Sequence, residues 1–324
     1  MNDKVKIYIP VIVCLRGIAA LGVVLYHYVC GMTGFVVDPY VLSVFNFGEL
    51  GVPLFFLISG IVIPLHMLQT NYDYSHLRQF FLRRLVRVEP AYLIALLGGI
   101  LFWNLRDQIY GSTFAPSLRD IFLHLGYLIP FFDDAQWVST VFWTLAIEFQ
   151  YYLFLALLFP FVASNSRWVQ NLTILGFVAL SVGSQNRAYL LNWLPLFFVG
   201  ITYALFLFKR IRLSDFVCWL VVCLLIAGLK DLGASLVAVF GLLIVHYIPK
   251  QSFRPIAWLG DISYSLYLFH GLTGGVLINM VSHHVDTPVL KFLLILVGLI
   301  VAVMTAWFMY VVVERPSHRR AKQI

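Results

Sequence analysis

The sequence is poor in charged residues. Only 11% of its 324 residues are Asp, Glu, Lys or Arg, whereas 61% are hydrophobic, and the mean hydropathy is +0.89. A typical soluble domain has about 25% charged residues, and so few charges could not cover the surface of a soluble globule of this size. The shortage excludes an ordinary soluble fold and predicts that the apolar surface faces lipid.

The sequence also shows no cysteine pair with metal or redox spacing, and its first apolar run does not resemble a cleavable leader. The four cysteines, Cys14, Cys30, Cys218 and Cys223, all fall in apolar segments without metal or redox spacing. We interpret them as small core residues and expect no metal site. The first apolar run carries Arg16 in its middle and has no small-residue cleavage site, which argues against a signal peptide. We expect a single membrane-embedded domain over residues 1–324, with no separate soluble domain.

Long hydrophobic runs are abundant instead. A helix needs roughly 20 apolar residues to cross the hydrocarbon core. The runs predict an all-α polytopic bundle of about ten transmembrane helices, at residues 9–30, 44–68, 90–106, 138–163, 171–183, 188–208, 214–229, 232–249, 256–282 and 289–313. The stretch 107–136 is mixed, and its apolar part, 121–132, is expected to lie in the interface or to dip inward.

Lysine and arginine are distributed unevenly over the connecting segments. With the N-terminus inside, the cytoplasmic segments hold 16 basic residues, Lys4 and Lys6 among them, and the outside segments hold 5. This bias follows the positive-inside rule and predicts that both termini are cytoplasmic. The formal net charge of +7 is then a consequence of topology, and we expect no nucleic-acid partner.

Two ionisable side chains share one face of the first predicted span. Such residues cost roughly 2.5–3.5 kcal/mol each on insertion scales and are functional candidates by default. Arg16 and His27 are eleven residues apart, which places them within about 20° of the same face and about 16 Å apart along the axis. Taken alone, Arg16 could equally well be a snorkelling arginine, and His27 a hydrogen-bonded interfacial histidine. Their shared face favours a functional role for the two residues.

Glu148 and His270 lie inside the fourth and ninth predicted spans. Glu148 is about 15 Å from the outer end of its span, where a carboxylate must be protonated or paired; a functional acid and a structural partner of an arginine are equally good interpretations. Tyr264, Tyr267 and His270 recur at three-residue spacing and form a polar ridge on an apolar helix. The favoured interpretation of His270 is a hydrogen-bonded clasp between helices.

A basic cluster follows the second predicted span. Residues 76–90 have an apolar side and predict an interfacial helix, from which Arg83, Arg84 and Arg87 project within about a 100° arc. Guanidinium groups so close together favour an anionic guest such as phosphate. On composition alone, the favoured interpretation is a basic patch that sets topology and binds lipid. Glu314, at the membrane edge on the same side, is a candidate partner for one of these arginines.

Six short motifs occur in a fixed order along the chain. They are 15–20 (LRGIAA) running to His27, 51–60 (GVPLFFLISG), 83–92 (RRLVRVEPAY), 143–145 (WTL) with Glu148, 260–270 (GDISYSLYLFH) and 313–316 (VERP). In this order they resemble the acyltransferase-3 family of integral membrane O-acyltransferases, which includes acetylases of bacterial O-antigens, exopolysaccharides and Nod factors. Each motif alone is weak, but six in sequence are specific.

The resemblance implies roles for the basic candidates. His27 matches the first-span histidine that is implicated in acyl transfer, and Arg16 matches the arginine of the same helix. Arg84 and Arg87 match an Arg-x-x-Arg motif linked to the use of acyl-CoA, and Arg83 stands beside them. The resemblance therefore implies catalysis at His27 and donor binding at the arginines.

The resemblance also covers the fourth and ninth spans. Glu148 belongs to a tryptophan–glutamate motif and is expected to take part in catalysis. The residues expected to contact the substrate are Trp143, Tyr264, Tyr267 and His270. Glu89 stands where relatives often have an apolar or aromatic residue, and Phe149 stands where many have a second acid, so the acceptor is not indicated.

The hypothesis is an O-acyltransferase of the bacterial inner membrane. Acetyl-CoA, or another acyl-CoA, binds from the cytoplasm with its phosphates on the arginine cluster, and its thioester passes Arg16 to reach the region of His27 and Glu148. His27 acts as a general base on a hydroxyl of a glycan or lipid-linked saccharide, or accepts the acyl group briefly. Glu148 orients the imidazole or offsets its positive charge.

Two other functions remain open at this point. One is a proton-coupled secondary transporter in which His27, Glu148 and His270 form a relay, although the sequence lacks the internal repeat that many transporters have. The other is a non-catalytic scaffold for glycan export.

Overall fold

The computed structural model describes residues 7–31, 34–111 and 116–324, and within these ranges it contains helices and no strand. The expected all-α membrane architecture is confirmed. The α-helices are Val11–Val29 (α1), Pro39–Asn46 (α2), Gly51–Gln69 (α3), Leu77–Tyr110 (α4), Leu118–Leu125 (α5), Phe142–Val162 (α6), Arg167–Val182 (α7), Leu190–Leu207 (α8), Leu213–Lys230 (α9), Leu232–Tyr247 (α10), Arg254–Asp261 (α11), Ser263–Phe269 (α12), Val276–Val281 (α13), Pro288–Met309 (α14) and Arg315–Ala321 (α15). Lys4 and Lys6 lie outside the described residues.

Seven helical runs in the described ranges are long and apolar enough to cross a membrane. They are Val11–Val29, Pro39–Gln69, Tyr74–Ile109, Phe142–Val162, Leu190–Leu207, Leu213–Lys230 and Pro288–Ala321. The predicted spans 171–183 and 232–249 fall in helices of only 16 residues, α7 and α10. The predicted span 256–282 is divided into α11, α12 and α13, with a π-helix at Gly271–Gly275 before α13. The count of ten and the orientation remain predictions.

The expected interfacial helix over residues 76–90 is wrong as a separate element. Residues 77–110 form one helix of 34 residues, α4, which continues through Pro90. A proline usually kinks or ends a helix in water, but neighbouring groups in membrane bundles often satisfy the freed carbonyl. The arginine cluster therefore stands on the same helix as the third predicted span. The apolar stretch 121–132 forms the end of α5 and a 3₁₀ turn at Ile129–Phe131.

Two compact units, each discontinuous in sequence, make up the chain. The first unit contains Met1–Arg16, Val52–Phe81 and Ile147–Ala257, and the second contains Gly17–Gly51, Leu82–Ala146 and Trp258–Ile324. In the first unit α8 is buried over almost its whole length and packs against α7, α9 and α10. In the second unit α14 packs against α12 and the π-helix. The expectation of a single domain stays a prediction.

Glycine allows two helices of the first unit to touch through their backbones. A Cβ added to Gly200 in α8 would stand 2.5 Å from the carbonyl carbon of Gly60 in α3 and 2.6 Å from the carbonyl oxygen of Leu57. Beside this contact, the ring of Phe197 stacks on Tyr151 with a centroid distance of 4.0 Å. Small residues let membrane helices approach closely and gain dispersion contacts, so this glycine pair sets the distance between α3 and α8.

We predict that Gly200→Ala destabilises the protein because its methyl group meets backbone atoms that cannot rotate away. Overpacking of this kind costs about 1–3 kcal/mol, which should appear as a lower apparent Tm in detergent at a fixed scan rate. Gly176→Ala in α7 is the matched control, because its Cβ would meet no atom within 4 Å and alanine favours helix. Equal Tm values for both variants would contradict the close contact.

Candidate active site

The polar side chains of α12 bond to other helices of the second unit. The hydroxyl of Tyr264 donates to the carbonyl of Val88 in α4 (2.9 Å), and the hydroxyl of Ser265 donates to the carboxylate of Glu314 (2.8 Å). The hydroxyls of Tyr267 and Thr144 in α6 are hydrogen-bonded to each other at 2.8 Å. The ridge seen in the sequence is thus a set of interhelical hydrogen bonds. Tyr267 is 8% exposed, so its described contacts fit the clasp better than substrate contact.

His270, directly after α12, is hydrogen-bonded to His27 of α1. The Nε2 atom of His270 lies 3.0 Å from Nδ1 of His27, and the two rings stack with centroids 5.0 Å apart. The Nδ1 atom of His270 lies 2.8 Å from the carbonyl oxygen of Tyr267 and 3.1 Å from that of Leu266. His270 is only 1% exposed, whereas His27 is half-buried. His27 is therefore the member of the pair that a reactant can meet.

The backbone of His270 is held as firmly as its ring. Its carbonyl accepts hydrogen bonds from the hydroxyl of Tyr28 (2.8 Å) and from the N–H of Gly275 (2.9 Å). The second bond spans five residues and belongs to the π-helix, an element often found at functional sites. A Cβ on Gly274 would stand 2.2 Å from the Tyr28 hydroxyl, so the glycine leaves room for this bond. No sequence motif marked Tyr28, although it is the neighbour of His27.

The arginine cluster contains one buried atom without a partner. Among the described residues no group hydrogen-bonds the buried Nε of Arg83. The Nε–H of Arg87 donates to Nε2 of His318 at 3.2 Å. This histidine nitrogen also lies 3.6 Å from the carboxylate of Glu314, a residue that is 1% exposed. His318 of α15 thus lies between the arginine cluster and Glu314.

Three further candidates lie on α1 and α6. In the first unit, Arg16 is half-buried in α1, and the carboxylate of Glu148 in α6 accepts a hydrogen bond from the hydroxyl of Tyr152, one turn further along. Trp143, in the second unit, is half-buried near the start of α6. Because Nδ1 of His27 bonds His270, an imidazole occupies the orienting position that was expected for Glu148.

A second buried histidine shows what a structural role looks like in this chain. The Nδ1–H of His124 in α5 donates to the carbonyl of Asp120 at 2.7 Å, and its Nε2 accepts the N–H of Val138 at 3.1 Å. Burial lowers the pKa of His124 and keeps it neutral. Both nitrogens serve the backbone, so His124 fastens the segment from α5 to α6. His27 differs because only its Nδ1 is engaged by another side chain.

Comparison with known proteins agrees with the motifs. The ORF330 protein of Acidianus two-tailed virus, provisionally assigned as an acetyltransferase, is 28% identical over 294 residues, which cover 82% of this chain and 83% of its own length. The peptidoglycan O-acetyltransferase OatA of Listeria monocytogenes is 24% identical over 333 residues, covering 81% of this chain but 49% of its own length. The O-acetyltransferase OatA of Staphylococcus aureus is 25% identical over 366 residues, which cover 97% of this chain and 58% of its own length.

The chain therefore spans about half the length of these two bacterial relatives. No solved structure gives a significant match. Residues 10–311 match the acyltransferase domain that defines one family of membrane enzymes, and because this match covers nearly the whole chain, the chain belongs to the acyltransferase-3 family.

Proposed function

We propose that this membrane acyltransferase transfers an acetyl group from cytoplasmic acetyl-CoA to a hydroxyl of a cell-surface glycan or lipid-linked saccharide. The observation that carries the proposal is the half-buried imidazole of His27, held by a neighbouring side chain within a chain of the acyltransferase-3 family. The acceptor class is suggested by the relatives named as O-acetyltransferases, one of them a peptidoglycan O-acetyltransferase.

The donor is bound by the arginine cluster on α4. Buried polar atoms in folded proteins are nearly always hydrogen-bonded, and the buried Nε of Arg83 has no such partner among the described residues. A phosphate oxygen would satisfy it, because guanidinium groups bind phosphate with charge-assisted hydrogen bonds. The contact from Arg87 to His318 fixes that side chain in place before the donor arrives. The cluster thus supplies a preformed anion-binding site for the nucleotide end of CoA.

Acetyl transfer then needs one base and no metal. His27 removes the proton of the acceptor hydroxyl as its oxygen attacks the thioester carbonyl. The C–S bond breaks, the proton returns from His27 to the leaving thiolate, and an O-acetyl ester and free CoA result. Glu148, the acid of the tryptophan–glutamate motif, is proposed to take part in catalysis. A route through a brief acyl-histidine has the same overall balance.

Orientation follows from the distribution of basic residues. Both termini and the arginine cluster lie in the cytoplasm, and the enzyme lies in the bacterial inner membrane. Because Arg16 and His27 are about 16 Å apart along α1, the thioester meets its acceptor nearer the outer face than the nucleotide does. A long, flexible pantetheine arm suits that separation.

Replacement of His27 tests the chemistry. We predict that His27→Ala lowers kcat for acetyl transfer roughly 10²–10⁴-fold, as expected for loss of a general base. The assay uses purified protein in detergent, labelled acetyl-CoA and a glycan extract, with no ion gradient. His246→Ala is the matched control, because that histidine lies on the exposed side of α10. Full activity of His27→Ala would remove the chemistry from this residue, and a requirement for a gradient would favour the transporter.

Replacement of the arginines tests the donor site. We predict that Arg83→Gln, Arg84→Gln and Arg87→Gln each raise KM for acetyl-CoA roughly 10–100-fold, because a hydrogen bond to a charged group contributes about 1.5–3 kcal/mol. The KM for the acceptor should change less than about twofold. Arg78→Gln is the control, since Arg78 is exposed on the same helix. Equal increases in both KM values would contradict a phosphate site.

A further inference from the structure

We infer that His270 is a positioning residue that fixes the tautomer of His27 and thereby makes Nε2 of His27 the basic atom of the transfer reaction. This inference rests on the proposed function for its chemistry, but its structural part concerns only the two imidazoles. The inference gives His270 a defined role, whereas the sequence predicted either an interhelical clasp or a substrate contact for this residue.

The first step is the proton on His270. Its Nδ1 lies within hydrogen-bond distance of two backbone carbonyls, those of Tyr267 and Leu266. Carbonyl oxygens only accept hydrogen bonds, so Nδ1 carries a hydrogen. With 1% of the residue exposed and no carboxylate among its described contacts, a charged imidazolium here would lack compensation. His270 is therefore neutral, and its Nε2 carries a lone pair.

The second step is the position of the hydrogen on His27, which follows from the neutral His270. The two facing nitrogens are 3.0 Å apart, and one of them must donate. Because Nε2 of His270 has no hydrogen, Nδ1 of His27 is the donor. In the neutral ring, Nε2 of His27 is then left with the lone pair.

The third step is what this tautomer does in the reaction. Among the described residues no hydrogen bond is formed to Nε2 of His27, so its lone pair is available to an acceptor hydroxyl. When Nε2 takes the proton, the ring becomes an imidazolium whose Nδ1–H still donates to His270. The partner thus holds the ring in one orientation before and after proton transfer, without placing a second charge in the membrane.

Further hydrogen bonds support the contact between His27 and His270. Tyr28, the next residue on α1, bonds the carbonyl of His270 while His27 bonds its ring, so two adjacent residues of one helix hold the same partner. The π-helix supplies the N–H of Gly275 to that carbonyl as well. These bonds fix both the position and the rotation of the His270 imidazole.

The test combines nitrogen NMR with kinetics on the full-length protein in lipid nanodiscs. In protein labelled with ¹⁵N-histidine, the His27 signals, assigned by their loss in His27→Asn, should show hydrogen on Nδ1 and none on Nε2. In His270→Phe, which keeps a ring but removes the acceptor, hydrogen should appear on Nε2, and kcat should fall roughly 10²–10⁴-fold with both KM values within about threefold.

Two further variants separate positioning from stability. His270→Gln places an amide oxygen near the position of Nε2 and should recover kcat to within about tenfold of the wild type. Tyr28→Phe removes the bond to the His270 backbone but leaves its ring, so it should lower Tm yet keep the wild-type tautomer. If His270→Phe does not fold, the inference is tested by the hydrogen positions on His27 in the wild type and by kcat of His270→Gln.

Each failure has its own signature. A hydrogen on Nε2 of His27 in the wild type, or full kcat in folded His270→Phe, overturns the inference while leaving His27 as the base. Full acetyl transfer by His27→Ala overturns the proposed function, and the wild-type NMR assignment then still decides which nitrogen of the pair carries the hydrogen.

Discussion

The second unit is organised by the need to hydrogen-bond every polar side chain of α12. In hydrocarbon an unsatisfied hydroxyl or imidazole costs several kcal/mol, and α12 carries polar groups at Tyr264, Ser265 and Tyr267, with His270 directly after it. Each of them reaches a different part of the unit: α4, the carboxylate of Glu314, α6 and α1. Because these bonds have fixed lengths and directions, they determine where the helices stand around α12. His27 is then placed by the same bonds that hold the unit together.

A neutral imidazole is a partner well suited to a base inside a membrane. In the serine-protease triad a buried aspartate orients the histidine and stabilises its charged form. A carboxylate needs several hydrogen bonds or a cation to remain ionised in an apolar bundle, whereas His270 needs only the carbonyls of its own helix. The neutral partner gives less stabilisation to the imidazolium.

Local sequence patterns indicated which side chains matter, but the pairs they form depend on tertiary structure. The three-residue spacing of Tyr264, Tyr267 and His270 was enough to predict a polar ridge, and the shared face of Arg16 and His27 was enough to mark α1. The bond between His27 and His270 joins residues 243 positions apart, and no periodicity encodes such a contact. The continuity of α4 through Pro90 and the π-helix at Gly271–Gly275 were also missed, because proline and glycine have different consequences in a packed membrane bundle and in water.

A series of close contacts links the two ends of the proposed reaction path. Glu314 accepts from Ser265 of α12 and approaches His318, which accepts from Arg87 of the cluster. Ser265 and His270 are five residues apart, about 7.5 Å along a helix, so one short rigid segment spaces the arginine end from the imidazole end. Both ends belong to the second unit. A displacement of α12 would therefore disturb the surroundings of Arg87 and the orientation of His27 together.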